Sequence, residues 1–472
     1  MSTIPTQHRI VIIGGGPGGY EAARAGRQLG AEVVLVEESG IGGNAVLTDV
    51  VPSKTLIATA DAAQRVALAQ TLGVNFSVDG HAVKPKVEID LKVVNRRLLA
   101  LAKSQSEDML SILKEEGVRV VAGRGRLDGN HHVIIEPTLG GEPERIEAKT
   151  IIVATGGHPR ELADAKPDGQ RILNWKQLYN LTELPEHMIV VGSGVTGAEF
   201  ASAYLELGSK VTLISSRDKV LPGNDSDAAD LIEDVFKRHG MQILNKARAE
   251  KVEATATGVK VTLASGEVVE GSHCLMAVGA IPNTEGLGLE EAGIRLTESG
   301  HVIVNKVART SRANVYAVGD CTTALPLASV SAMQGRTAVY HTMGDVASPT
   351  RIRNVASNVF TSPEIASVGW SQAEIEAGLV RGEIEKVMLD ANPRAKMQGL
   401  SEGFIKLFAS VGSGTVIGGV VVAPRASDLI YPIAVAVENR LTVDQLARTY
   451  TVYPSLSGSI ADAASALHQP ID

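Results

Sequence analysis

The chain has 472 residues, of which 44% are hydrophobic, 21% charged and 3% aromatic; at about 150 residues per domain it holds roughly three cores, which excludes one small module, a fibre and a disordered tail. Its 45 basic and 53 acidic residues leave a net charge of -8, which argues against a surface built to neutralise a nucleic-acid backbone. Two cysteines far apart, Cys274 and Cys321, fit a reducing, cytoplasmic setting, and neither an export signal at MSTIPTQHRI nor an apolar run of the roughly 18 residues needed to span a bilayer is expected.

In chain order, RIVII at 9–13 reads as a β-branched strand stopped by glycine, the following PGGYEAARAGRQLG as a helix, and AEVVLVEE as a second strand. Gly14, Gly16 and Gly19 form GxGxxG at the strand-to-helix turn: the first permits the turn, the second lets backbone approach a pyrophosphate, and the third packs helix on sheet. The helix N-terminus faces the phosphates. Glu37 closes the second strand, where a carboxylate would hold an adenosine ribose and repel a 2′-phosphate. The first site is expected to hold FAD or NAD.

Further along, IIVATGGHPR from Ile151 is a strand stopped by glycine, and the strand, turn, helix, strand order then recurs over 188–216 with Gly192, Gly194 and Gly197. Ser215 stands where the first copy has Glu37, followed by Ser216 and Arg217. One charge-assisted bond from a guanidinium is worth roughly 1.5 to 3 kcal/mol, so Arg217 favours NADPH, with NADH tolerated. A second exit strand, CLMAVGAIPN, starts at Cys274. From about Thr350, GFIKLF and TVIGGVVVA alternate with the helical ASDLIYPIAVAVENR, which marks a third, α+β region. The histidines show no ligand spacing, so no metal is expected, and Arg394 and Lys396 in NPRAKM read as a solvated charged turn.

The tandem folds, together with IGGNAVLTDVVPSKTLI, YAVGDCTTALPLASVSAMQGR and FTSPEIASVG, resemble the flavoprotein disulfide reductases, the family of lipoamide dehydrogenase and glutathione reductase. The resemblance implies an α/β protein with two Rossmann-like domains, the second inserted in the first, and a C-terminal α+β dimerisation domain. The expected boundaries are 1–155 with 278–348 for FAD, 156–277 for NAD(P)H, and 349–472 for the homodimer contact. It further implies that Asp320 contacts the flavin's ribityl chain, that Lys54 and Glu199 pair beside the flavin, and that Gly43, Thr155, Gly156, Gly279 and Ala328 line the nucleotide sites.

The chain departs from that pattern where the family does its chemistry. Ala45 and Val50 replace the redox-active CxxxxC, and Tyr453-Pro454-Ser455 replaces the His-Pro-Thr of the acid-base partner. Dithiol chemistry is therefore expected to be gone, leaving the reduced flavin to pass electrons directly to a flat acceptor. The resemblance is closest to the cysteine-less NAD(P)H:quinone reductases, with Tyr453 from the second copy placed to donate a hydrogen bond to a quinone oxygen. A soluble pyridine nucleotide transhydrogenase and a non-catalytic scaffold are the alternatives.

Overall fold

A computed structural model describes residues 8–83 and 86–468; residues 1–7, on which the expected lack of an export signal partly rests, lie outside the described residues. Two compact units emerge. The first is formed by residues up to Thr55, Asn95–Arg160 and Val278–Ile352, and the second by Leu56–Val94, Glu161–Ala277 and the residues from Arg353 on.

In the first unit a seven-stranded sheet has the order 315–317, 150–153, 9–13, 32–37, 119–128, 132–137, 144–147. The first five strands are parallel and the last two add an antiparallel meander. The interior strand 9–13 is apolar and buried from Ile10 to Ile13 because both of its faces are covered. Ile10 and Ile12 pack with Leu35, Tyr20 and Ala338, while Val11 and Ile13 pack with Val34, Leu127 and Ile151 on the other side. The register Ile13↔Val36 and Ile13↔Val153 brings three strand ends to one carboxyl edge, the edge at which such sheets bind ligands. Helix Pro17–Gln28 leaves that edge with proline in its first turn, where a missing N–H costs nothing. It packs closely on helix Ala328–Met343 because a Cβ on Gly335 would stand 2.2 Å from the carbonyl oxygen of Gly18.

The second unit holds a five-stranded parallel sheet in the order 172–173, 273–276, 187–191, 210–214, 242–244, beside an antiparallel three-stranded sheet of 249–254, 259–263 and 268–271. Its register Val191↔Ile214 and Val191↔Met276 repeats that of the first unit. The same unit contains an antiparallel five-stranded sheet, order 357–359, 364–369, 416–423, 404–410, 382–388. Ile405, Leu407, Val421 and Ala423 of that sheet share a core with Ile433, Ala436, Ile460 and Ala463 from the helices that follow. The NPRAKM segment is a short helix, Pro393–Met397, rather than a bare turn: the Asn392 carboxamide accepts from the backbone N–H of Arg394 and Ala395, and both cations stay exposed.

Candidate functional site

The first glycine turn is fixed by backbone. The Gly14 N–H donates to Val36 at 2.8 Å, and its φ of +106° is one that only glycine adopts without strain. A Cβ there would lie 2.2 Å from the Ala154 carbonyl oxygen, and one on Gly19 would lie 1.9 Å from the Gly14 oxygen. Gly16 is different: a Cβ on it meets nothing within 4 Å. It precedes helix Pro17–Gln28 without a side-chain cap, so open space faces uncapped backbone N–H groups. Gly43 closes one side, since its Cβ would stand 3.0 Å from the Gly16 Cα.

Glu37 is held rigidly at the end of its strand. One carboxylate oxygen accepts from the Gly15 N–H at 2.6 Å, and the other accepts from Ser39 at 2.7 Å and Gly40 at 3.3 Å. The glycine turn and the terminal acid are thus one hydrogen-bonded structure, and this cradle fits the pyrophosphate and ribose of a dinucleotide. Along the same edge, the Thr155 hydroxyl donates to the Asn283 carbonyl at 2.6 Å, and Gly156 and Gly279 turn with φ of +66° and +97°. Gly319 donates its N–H to the Gln334 amide oxygen at 2.9 Å, which orients the next residue, Asp320. Asp320 is exposed as a residue, yet the protein around its carboxyl strips enough water to raise it above the ordinary range, with His301 acting against this. Ala328 is exposed at the uncapped N-terminus of its 16-residue helix.

In the second unit the turn is rebuilt with different polar chemistry. Gly192 has φ of +111°, and its Cβ would lie 2.2 Å from the Ala277 oxygen; a Cβ on Gly197 would lie 1.8 Å from the Gly192 oxygen; one on Gly194 meets nothing within 4 Å. Ser193 now occupies the position of Gly15, and its hydroxyl lies 2.7 Å from that of Ser215. The hydroxyl pair occupies the place of the bond from the Gly15 N–H to Glu37. Ser215 also accepts from the Arg217 N–H at 3.1 Å and is fully buried, so the turn points Ser216 and Arg217 into solvent. Ser193 falls inside the glycine motif and carries no signal of its own, although the offset between the two motifs aligns it with Gly15.

The remaining expected site residues fall as follows. Lys54 is half-buried in the first turns of helix Val50–Leu68. Glu199 is buried on helix Val195–Glu206 in the second unit, where its carboxylate accepts from the Phe360 N–H at 2.9 Å. Tyr453, followed by a cis peptide to Pro454, is 82% exposed. Ala45 lies in the short helix Gly43–Leu47, and Val50 begins the next one.

Both cysteines are sealed in apolar surroundings at 0% exposure. The Cys321 sulfur is 3.3 Å from the Val318 carbonyl oxygen, and the Cys274 sulfur is 3.8 Å from that of Met276. Burial pushes the Cys321 thiol up to about 11 and raises that of Cys274 further still, so neither is an available thiolate. Among the described residues no cluster of His, Cys, Asp or Glu could hold a metal, and no helix is long and apolar enough to cross a membrane.

Comparison with known proteins agrees with this geometry. Residues 8–335 match the family described as pyridine nucleotide-disulphide oxidoreductase, and residues 355–464 match its dimerisation domain. The chain is 49% identical to an NAD(P)H dehydrogenase (quinone) of Mycobacterium tuberculosis, over 98% of this chain and 95% of that one. It is 32% identical to a dihydrolipoyl dehydrogenase of Chlamydia muridarum, over 98% of each. The crystal structure of LpdA from Mycobacterium tuberculosis superposes with a TM-score of 0.93 at 49% identity, covering 98% of this chain and all of that one. RclA of Escherichia coli, at 24% identity over 97% of this chain and 99% of that one, shares the fold with a TM-score of 0.84. The two glycine cradles, the glutamate-closed first site and these matches along nearly the whole chain establish that the protein belongs to the pyridine nucleotide-disulphide oxidoreductase family.

Proposed function

We propose that the protein is a FAD-dependent NAD(P)H:quinone oxidoreductase of the cytoplasm, acting as a homodimer and working without a redox disulfide. The observation that carries this reading is the location of its sulfur. The only two cysteines are buried and protonated, and the positions of the family's redox pair hold Ala45 and Val50, while both nucleotide cradles are kept. Similarity to the mycobacterial NAD(P)H dehydrogenase (quinone) supports it independently.

The fit of the chain to FAD rests on the open volume over Gly16, the uncapped helix N-terminus and the anchored Glu37. When bound, FAD supplies the group that accepts a hydride and gives it up again. On this reading 1–155 and 278–348 hold FAD, 156–277 holds the nicotinamide nucleotide, and 349–472 makes the dimer. Gly14, Gly16, Gly19 and Gly43 accommodate the pyrophosphate, Glu37 the adenosine ribose and Asp320 the ribityl hydroxyls, with Thr155, Gly156 and Ala328 lining the same edge. Gly192, Gly194, Gly197 and Gly279 serve the NADPH, and Ser216 with Arg217 receives its 2′-phosphate. Lys54 contributes positive charge that favours the reduced cofactor, Glu199 is its proposed counter-charge, and the Tyr453 hydroxyl from the second copy hydrogen-bonds a quinone carbonyl.

The test is an anaerobic titration with NADPH. One equivalent per site is expected to bleach the flavin without a thiolate-to-flavin charge-transfer band, and menadione is expected to restore the oxidised spectrum. A reduced enzyme that no quinone reoxidises rejects the assignment. A transhydrogenase is favoured by one observation: uncharged Ser215 closes the second site, so no acid there discriminates between NADH and NADPH. Rapid NADPH to thio-NAD exchange with poor quinone turnover would favour it.

A further inference from the structure

The strand 242–244 exits into a loop that is bonded directly onto the turn carrying Arg217. The Lys246 N–H donates to the Arg217 carbonyl at 2.8 Å, and the Ala247 N–H donates to the Ser215 carbonyl at 2.8 Å. Lys246 adopts φ of +55°, a left-handed conformation that lysine takes only under constraint. Its ammonium is 3.6 Å from Asp218, the residue after Arg217, and both side chains are well exposed. Lys246 therefore extends on the same side as the Ser216–Asp218 turn.

We infer that Lys246 is a second specificity-determining cation for the adenosine 2′-phosphate, supplied by the neighbouring loop and complementing Arg217 from the turn. The inference rests on the proposed NADPH preference and adds a residue to it. A dianion beside a fixed guanidinium retains lone pairs for a second donor, and two cations approaching from different loops discriminate a phosphate from a hydroxyl more sharply than one. The left-handed residue is the one whose N–H is bonded to the Arg217 carbonyl, so the loop is tied to the turn at Lys246 itself. Asp218 sits beside the ammonium and tempers the positive field.

Calorimetry on the flavin-loaded dimer, with adenosine 2′,5′-bisphosphate and 5′-AMP as probes, tests this. Lys246→Gln is expected to lower the affinity ratio of the two probes about three- to tenfold, as for the loss of one exposed charge-assisted contact. Lys246→Arg is expected to retain the ratio, and Asp218→Asn to raise it. Lys246→Gly removes the charge while relieving the backbone, so it should lower the ratio without lowering thermal stability. If Arg217→Ala lowers the ratio and Lys246→Gln does not, the Lys246 inference fails and the NADPH reading stands. A wild-type protein that does not prefer the bisphosphate overturns both. An equal loss for both probes in Lys246→Gln also overturns the inference, because the contact would then lie elsewhere on the adenosine.

Discussion

Replacing Gly16 with alanine separates the use of the first glycine turn from its architecture. Gly16 has φ of -64° and ψ of -176°, which any residue accepts, and its added methyl meets no atom within 4 Å. The FAD-free fold should therefore be unharmed, or even gain about 0.4–1 kcal/mol through the reduced entropy of the unfolded chain. FAD binding should suffer instead, because the methyl takes space over the uncapped N–H groups of helix Pro17–Gln28. Loss of one charge-assisted hydrogen bond, about 1.5–3 kcal/mol, corresponds to roughly 10- to 150-fold weaker affinity. Gly19→Ala is the contrasting variant: its methyl would stand 1.9 Å from the Gly14 oxygen, so about 1–3 kcal/mol or more is lost with or without FAD. Thermal unfolding of the apo and loaded proteins and a flavin-fluorescence titration read both quantities. Undiminished FAD affinity in Gly16→Ala, or an apo protein as unstable as Gly19→Ala, would refute the assignment of that open volume to phosphate.

Three further outcomes follow from the structure. Lys406 is 1% exposed and bonded to Asp225 at 2.8 Å, while Asp225 caps helix Ser226–Arg238. Lys406→Met should cost about 3–5 kcal/mol in denaturant unfolding by stranding a buried carboxylate, and adding Asp225→Asn, which keeps the cap, should recover part of it; no recovery would mean the charge is not the cause. Burial, with the charge of Asp61, raises the Glu206 carboxyl to about 7, so the folded chain holds a proton there that the unfolded chain has released. Its contribution to stability is intact below the ordinary glutamate range, near pH 4.5, and is lost as pH rises towards 7; Glu206→Gln should gain about 1–2 kcal/mol at pH 8 and little at pH 4.5, and melting curves of equal difference at both would contradict the shift. Finally, Cys274→Ala with Cys321→Ala should lose about 1 kcal/mol of stability per site yet keep NADPH-dependent menadione turnover within about twofold, whereas collapse of turnover in a folded double variant would bring sulfur back into the reaction.

The duplicated cradle was legible in the chain because its chemistry is local. A β-branched run, three glycines at fixed intervals and a residue 18 positions beyond the last glycine all belong to one strand, turn and helix, and Gly14 and Gly192 have the backbone that this order requires. The loss of the dithiol was equally legible, since it depends only on which residues stand at 45 and 50. The edge strand Ile172–Leu173 was not: two residues have no period, and only pairing with Cys274 and Leu275 makes them a strand.

What the amino-acid order determined by itself was therefore the type and number of nucleotide cradles and the absence of a sulfur relay. Only the tertiary structure decided which groups share one site when they lie far apart in the chain. The Ser193 hydroxyl meets that of Ser215, Lys246 is laid on the Arg217 turn, and Phe360 is brought to Glu199. The physical reason is that parallel strands are joined by long crossovers, so the loops gathered at one carboxyl edge are neighbours through sheet registry, which no spacing within any one segment encodes.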